Sequence, residues 1–352
     1  MPDFLRLSAE DRLEALNFAA AKSGRAPHLL EKDVWVVWAL DVLFRAPFGE
    51  HLVFKGGTSL SKAHKIIRRF SEDIDVTFDI RALVPELTES ATTNEAIPPN
   101  RSQEKRWTSE IRKRLPVQIA DQVMPAVRAA LATQQLQAEL RQEDDKLFIR
   151  YQALTAGTGY VRPEILLEFG ARSTGEPCDV RPVITDAAEH IPELTFPTAS
   201  PRTMRPERTF WEKATAAHAY CITGGFRGGN RFARHWHDIT QLDAFGMADA
   251  ALADIALGQT VARHKTSFFP EKGVDYTVAV SGKLQLIPTD GALDHLEADY
   301  EKMLDDRLLP VAESYPFEDL LERCLGVQAR ANSRATYSSP TPAPPRRRSA
   351  GK

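Results

Sequence analysis

The chain has 352 residues, 43% of them hydrophobic and 26% charged, the balance of an ordinary globular protein long enough for two sub-domains sharing one cleft. Three widely spaced cysteines, Cys178, Cys221 and Cys324, exclude a disulfide framework and a four-cysteine zinc site and suit a reducing compartment. A net charge of −3 does not announce a nucleic-acid binder; the acidic start MPDFLRLSAEDRL lacks a secretory n-region, and no apolar run approaches the roughly 20 residues of a membrane helix, so the cytoplasm is expected, with no membrane partner.

Ser8, with Asp11 in the first turn, predicts a helix start, and Leu13, Leu16 and Ala20 carry an apolar stripe to Gly24, which stops it. A second helix is expected over 28–44, with Leu30, Val34, Val37, Trp38 and Leu40 inward, Glu31, Lys32 and Asp33 at its start, and Pro47 and Gly49 beyond its end. A strand at 52–54, the pair Gly56-Gly57, a helix over 59–69 and a strand over 73–78 follow. Residues 85–105 read as a polar, proline-containing loop, and 107–140 as a helical stretch that Pro116 and Pro125 interrupt or kink. Strands are expected at 147–153 and 164–169, turned by Gly157 and Gly159, with a weaker one at Val183-Ile184. From 207 onward the pattern is mainly helical, over 210–220, 235–245 and 248–257, with a glycine-rich TGGFRGGNR loop after the first; a hairpin-like piece at 275–288 and one or two helices over 292–331 complete it. Residues 332–352 carry Arg334, Arg346, Arg347, Arg348 and Lys352 with almost nothing to bury, and read as a disordered basic tail. No fixed-period repeat is present. The fold class is therefore α/β: a small mixed sheet packed against a mainly helical C-terminal half.

The chemistry concentrates in FKGGTSLSKAHKIIRRFSEDIDV, residues 54–76. Alternate side chains of a strand face the same way, so Asp73 and Asp75 project together while Ile74 and Val76 face the core. Two parallel carboxylates repel, and hard oxygen donors at this spacing suit Mg²⁺ or Mn²⁺, which engage substrate phosphates; alone, the D-x-D pattern also fits a solvated strand edge. Gly56 and Gly57, between strand and helix, allow close backbone approach, and the following N–H groups with the Thr58 and Ser59 hydroxyls form an anion-binding helix start. A phosphate cradle and a carboxylate pair separated by one helix supply both halves of phosphoryl transfer from a nucleoside triphosphate. Glu168, inside the apolar run ILLEFG, needs a partner if it is buried, such as Arg162 or Arg172. His235 and His237 diverge on a helix and form no zinc motif, and no G-x-S-x-G elbow appears.

Gly56-Gly57-Thr58 followed by Asp73-Ile74-Asp75 resembles the signature of the DNA polymerase beta nucleotidyltransferase superfamily, with a linking helix about a turn longer than usual there. The whole segment, with EKDVWV (31–36), PERTFWEKATAAHA (206–219), RHWHDI (234–239), HKTSFFP (264–270) and DYEKM (299–303), resembles the AbiEii/AbiGii-type nucleotidyltransferase toxins over residues 31–330. That resemblance implies that Lys213 sits near the nucleotide phosphates, that Asp238 binds metal, orients Lys213 or acts as base, and that Ser71 helps shape the nucleotide site; in the wider superfamily a third carboxylate comes from a neighbouring strand, which makes Glu168 a candidate metal ligand or general base. It implies residues 1–200 as the nucleotidyltransferase core, with N-terminal helices and a helical insertion, and 201–331 as a helical domain completing the site. It further implies transfer of a nucleoside monophosphate to an acceptor hydroxyl, with a tRNA 3′ end as one outcome, a toxin role in a toxin–antitoxin or phage-defence system, and a separate antitoxin. Nucleotidylation or phosphorylation of a protein or small molecule by the same site, and a non-catalytic nucleotide- or RNA-binding module, are the alternatives.

Residues 201–234 carry Arg202, Arg205, Arg208, Lys213, Arg227, Arg231 and Arg234 against Glu207 and Glu212 only, a stretch along which RNA is expected to lie. A second basic run, Lys105, Arg106, Arg112, Lys113 and Arg114, adds Trp107 as a stacking surface.

Overall fold

The computed structural model describes residues 1–69, 71, 73–89, 95–155, 161–225, 231–305, 309–310 and 313–337, the last three by backbone alone. Helix α1 (Ala9–Ser23) is capped by the Ser8 hydroxyl, which accepts from Asp11 N, and ends at left-handed Gly24. Helix α2 (Pro27–Arg45) starts on a proline, whose missing N–H costs nothing in the first turn, and is buried along most of its length. Strand β1 (Leu52–Lys55) runs directly into α3 (Gly56–Lys62), and β2 (Ile74–Phe78) follows. The helix expected over 59–69 thus begins earlier and stops at Lys62: Lys65 adopts a positive φ of 55°, and Arg69 is drawn inward to a buried carboxylate.

Two short helices, α4 (Ile80–Leu83) and α5 (Pro85–Thr88), precede α6 (Arg101–Gln118), so part of the expected loop is ordered. Between Pro116 and Pro125 the rod widens into a π-helical turn at Ile119–Val123 before α7 (Met124–Thr133), which accommodates the hydrogen bonds the prolines cannot make. The helix does not reach Leu140. Gln135 turns left-handed, and β3 (Ala138–Glu143) pairs antiparallel with β4 (Lys146–Tyr151), its alternating exposure the period-2 pattern of a strand. Strand β5 (Glu164–Gly170) follows; the Gly157 and Gly159 turn expected before it lies outside the described residues. Short strands β6 (Cys178–Val180), β7 (Val183–Ile184), β8 (Thr198–Ala199) and β9 (Arg202–Met204) complete the strand set. One seven-stranded mixed sheet has the order β3-β4-β5-β2-β1-β9-β6.

The described elements from Pro206 onward are helices: α8 (Pro206–Thr223), α9 (Arg234–Ala244), α10 (Met247–Ala253), α11 (Ile255–Phe268), α12 (Tyr276–Ala279), α13 (Asp290–Asp305) and α14 (Phe317–Tyr337). The expected hairpin over 275–288 is the short α12 followed by an irregular segment, whose Leu284 and Leu286 amides are satisfied by Asn332 and Gln328 side chains rather than by a second strand. Helix α14 continues to Tyr337, into the stretch expected to be disordered; residues 338–352 lie outside the described residues. One apolar core gathers α1, α2, α6, α7 and the sheet. A second gathers α8–α11, α13 and α14, and takes in Leu60, Ile66 and Ile67 from the segment after the glycine pair. Among the described residues no helix is long and apolar enough to cross a membrane.

Candidate active site

Lys55, the last residue of β1, is extended, and Gly56 then turns at φ +77° into α3. Only glycine fits there: a Cβ would collide with Oδ2 of Asp75 on the neighbouring strand. A Cβ on Gly57 would strike the Arg69 guanidinium and approach Ser71 Oγ to 2.9 Å. The glycine pair is thus the floor on which Asp75, Ser71 and Arg69 rest. Thr58 and Ser59 are fully buried. The Thr58 hydroxyl donates to the Asp73 carbonyl at 2.5 Å, so at the 2.9 Å contact with Ser71 the Ser71 hydroxyl donates; Ser59 Oγ donates to the Gly56 carbonyl at 2.8 Å. Both hydroxyls expected to face a phosphate are spent inside the protein: Thr58 holds the turn against the start of β2, and Ser59 closes the turn on itself.

Ile74 and Val76 are buried, and the flanking Asp73 and Asp75 are half-exposed, the alternation expected of a strand covered on one face. Strand register then builds a row across the sheet. Lys55 is opposite Asp75, Asp75 is opposite Glu168 in parallel β5, and Glu168 is opposite Lys146 in β4. Register partners project from the same face, so Asp75 stands between a lysine and a second carboxylate. Glu168 pairs with Lys146 at 3.5 Å and not with Arg162 or Arg172, because strand pairing puts Lys146 beside it.

Lys213 (α8) and Asp238 (α9) meet from the helical half. Asp238 is fully buried; Arg69 grips it with Nε at 2.7 Å and Nη2 at 2.8 Å, and Lys213 Nζ lies 2.8 Å from Oδ2. Burial by itself would push the Asp238 carboxyl up; Arg69 and Lys213 reverse that and hold it well below the usual carboxylate range. The Asp75 charge in turn reaches Arg69, and that of Asp73 reaches Arg234, so the two halves of the site share one electrostatic field. Asp238 is fully enclosed, and its carboxylate oxygens are taken up by Arg69 and Lys213.

Beside Asp75 and Glu168 opens a cavity of about 630 Å³, walled also by Lys55, Arg172, Lys265 and Phe269. Arg172 and Lys265 stand over the Phe269 ring at 5.2 and 5.1 Å. Buried His264 is pushed down to about 3 by desolvation and stays neutral, its Nε2 2.9 Å from the Arg172 carbonyl. Glu212 accepts from Arg208 at 3.3 Å. Burial opposes the Glu212 charge, but Arg208, Lys55 and Lys265 together bring it down to about 2. A second cavity of about 730 Å³, between α1 and residues 133–137 and 152–154, lacks the carboxylate pair.

Mg²⁺ keeps several waters and takes one or two carboxylates together with substrate phosphates. The hard oxygen donors of Asp73 and Asp75 fit that mode, whereas no group of three or more His, Cys, Asp or Glu among the described residues forms a closed cage. Lys55, Arg69, Arg172 and Lys265 were not singled out as site residues by sequence. Lys55 and Lys265 lie inside the motifs FKGG and HKTSFFP, but only strand pairing and helix packing give them a direction.

A family model described as "Nucleotidyl transferase AbiEii toxin, Type IV TA system" matches residues 38–323. The chain belongs to the AbiEii family. It is accordingly a nucleotidyltransferase toxin of a toxin–antitoxin system, and the resemblance carried by GGTS, DID, PERTFWEK and RHWHD is borne out. Among solved structures, MenT4, nucleotidyltransferase toxin Rv2826c from Mycobacterium tuberculosis H37Rv, is similar at 16% identity over 94% of this chain and 89% of that one, with a TM-score of 0.39, too distant to argue residues from. No curated protein matches the chain in sequence.

Proposed function

We propose that this AbiEii-family enzyme binds a nucleoside triphosphate in the cavity beside Asp75 and transfers its nucleoside monophosphate to the 3′ hydroxyl of an RNA, with tRNA the favoured acceptor. The observation that carries the reading is Asp75 itself, seated on the left-handed Gly56 turn, in register with Glu168, and open to a cation-lined cavity. Asp73 and Asp75 would hold Mg²⁺ or Mn²⁺, with Glu168 as an additional ligand; when bound, the ion offsets phosphate charge. The Gly56-Gly57 turn lets the phosphates approach the backbone, with Thr58, Ser59 and Ser71 fixing the turn's shape. Lys55 and Lys265 attract the triphosphate into the cavity, and Lys213, aimed by Asp238, stabilises negative charge on the transferring phosphoryl group. The acceptor oxygen attacks the α-phosphorus, the bond to the β-phosphate oxygen breaks, and pyrophosphate leaves; Glu168, half-exposed beside Asp75, is placed to take the hydroxyl proton. The toxin–antitoxin family supports a separate antitoxin; a role in halting translation, with defence against phage as the setting, is part of the proposal.

The test is to incubate the purified chain and Mg²⁺ with each of the four α-labelled triphosphates, total RNA and a protein extract. Label should enter RNA one monophosphate per chain, and Asp75→Asn should lower the rate by roughly 10²–10³. Label confined to protein would remove the RNA acceptor, and full activity in Asp75→Asn would remove the mechanism.

A further inference from the structure

Most of the described basic side chains of 201–234, where RNA was expected to lie, are engaged by other groups of the protein. Arg202 Nη1 donates to the Glu50 carbonyl, Arg205 pairs with Asp179 at 3.0 Å, fully buried Arg208 pairs with Glu212 and Glu95, and Lys213 pairs with Asp238. Arg234 Nε donates to the Arg231 carbonyl at 3.0 Å, and Arg227 lies outside the described residues.

Helix α6 is different. Its Trp107, Ile111 and Leu115 are buried, which also removes Trp107 as a stacking surface. Arg101, Lys105 and Arg112 are exposed and share one groove of about 470 Å³, in which the acid is Glu104. Their spacing keeps them on one helical stripe about 16 Å long at 1.5 Å per residue, room for roughly five phosphates of a stacked strand at about 3.4 Å each. Lys105 and Arg112 make no ion pair among the described residues, and Arg101 approaches Glu104 only to 3.9 Å; Lys113 and Arg114, by contrast, are taken up by Glu110 and Glu86. Arg112 belongs to two places at once. It lines this groove, and it lines the cavity that holds Asp75 and Glu168. Inside that cavity it faces Arg172, whose pKa is lowered by burial and then by the Arg112 charge, with Asp145 and Glu104 offsetting part of this. Two neighbouring guanidinium groups at the mouth of a reaction cavity favour an anion between them.

We propose that Arg101, Lys105 and Arg112 form the track on which the phosphate backbone of the RNA acceptor lies, leading its 3′ end into the cavity beside Asp75. The inference rests on the RNA-acceptor reading above and adds the surface that recognises it. Charge complementarity and continuity with the reaction cavity select an RNA strand over other occupants. A track of point charges on one stripe reads the backbone and not the base sequence.

The experiment uses the full chain and tRNA, with binding followed by fluorescence anisotropy over a range of salt and transfer followed by label. The double variant Arg101→Ser/Lys105→Ser, both side chains being exposed, should bind tRNA about tenfold more weakly near 0.15 M salt. It should flatten the log–log salt slope by about 1.5 and raise the acceptor KM, with the nucleotide KM unchanged. Arg106→Ser, on the same helix but off the stripe, should leave tRNA affinity as it was. Unchanged tRNA affinity and salt slope in the double variant, while the parent still labels RNA, would overturn the track and leave the function standing. Equal loss from Arg106→Ser would replace the track with diffuse charge attraction. A parent enzyme that labels protein and no RNA would overturn both readings.

Discussion

A side chain at position 56 and the Asp75 carboxylate cannot occupy the space they would share. Gly56→Ala therefore meets two penalties: a left-handed φ, costing roughly 1–2 kcal/mol for an L-residue, and displacement of the carboxylate proposed to hold metal. Thermal unfolding should show the first, and label transfer should fall by about 10² or more through the second; an active variant of parental stability would mean that the turn is looser than described. At this scale much was legible beforehand. A glycine pair between a strand and a helix, and an aspartate pair at strand spacing, are local patterns whose geometry follows from backbone sterics alone. The fate of the Thr58 and Ser59 hydroxyls was not legible. Either could face outward to a phosphate or inward to a carbonyl; Ser59 turns back on the Gly56 carbonyl within its own turn, and only the return of the chain at Ser71 and Asp73 supplies the partners of Thr58.

At the scale of the element, α2 shows the same division. Its length, its Pro27 start and its apolar positions follow the helical period, but Glu31, Lys32 and Asp33 read as an ordinary charged first turn and are all buried. Each holds another segment. Glu31 accepts from Leu154 N, Lys32 donates to the Arg162 carbonyl, and Asp33 pairs with Lys62 at the end of α3 while accepting from Asp186 N. The cradle helix is thereby fixed at its far end by α2. Burial pushes the Glu31 carboxyl up to about 7, with the Leu154 N–H and Arg12 pulling it back only in part. An ordinary glutamate titrates near 4.5, so between that pH and about 7 the folded chain binds a proton that the unfolded chain has lost. Stability should accordingly fall as pH rises through this window and level off above it, by on the order of 2–3 kcal/mol. Urea unfolding at pH 5 and pH 8 checks this, and Glu31→Gln should flatten the difference; a parent equally stable at both would show that Glu31 ionises normally.

Across the whole molecule, the chain between Gly57 and Asp73 crosses from one core to the other. Leu60, Ile66 and Ile67 belong to the helical half, and Arg69 ends the crossing on Asp238. One guanidinium thus packs against Gly57 and neutralises the carboxylate that is paired with Lys213. Arg69→Met leaves Asp238 buried with Lys213 as its remaining strong cation, and should destabilise the protein by about 3–5 kcal/mol. Loss of that size in denaturant melts, with transfer activity reduced even where the variant is folded, is the expected result; a melt within 1 kcal/mol of the parent would show that the ion pair is dispensable. The sequence by itself determined the α/β class, most helices, and the seed of the site at Gly56, Gly57, Asp73 and Asp75, because periodicity, glycine conformation and strand alternation are properties of neighbouring residues. Tertiary structure decided that Glu168 stands beside Asp75, that Asp238 is locked by Arg69 and Lys213, and that most of the described basic residues of 201–234 are taken up by partners while Arg101, Lys105 and Arg112 of α6 stay exposed. Each of these depends on which distant groups the fold brings together, a matter of chain topology that no local spacing encodes.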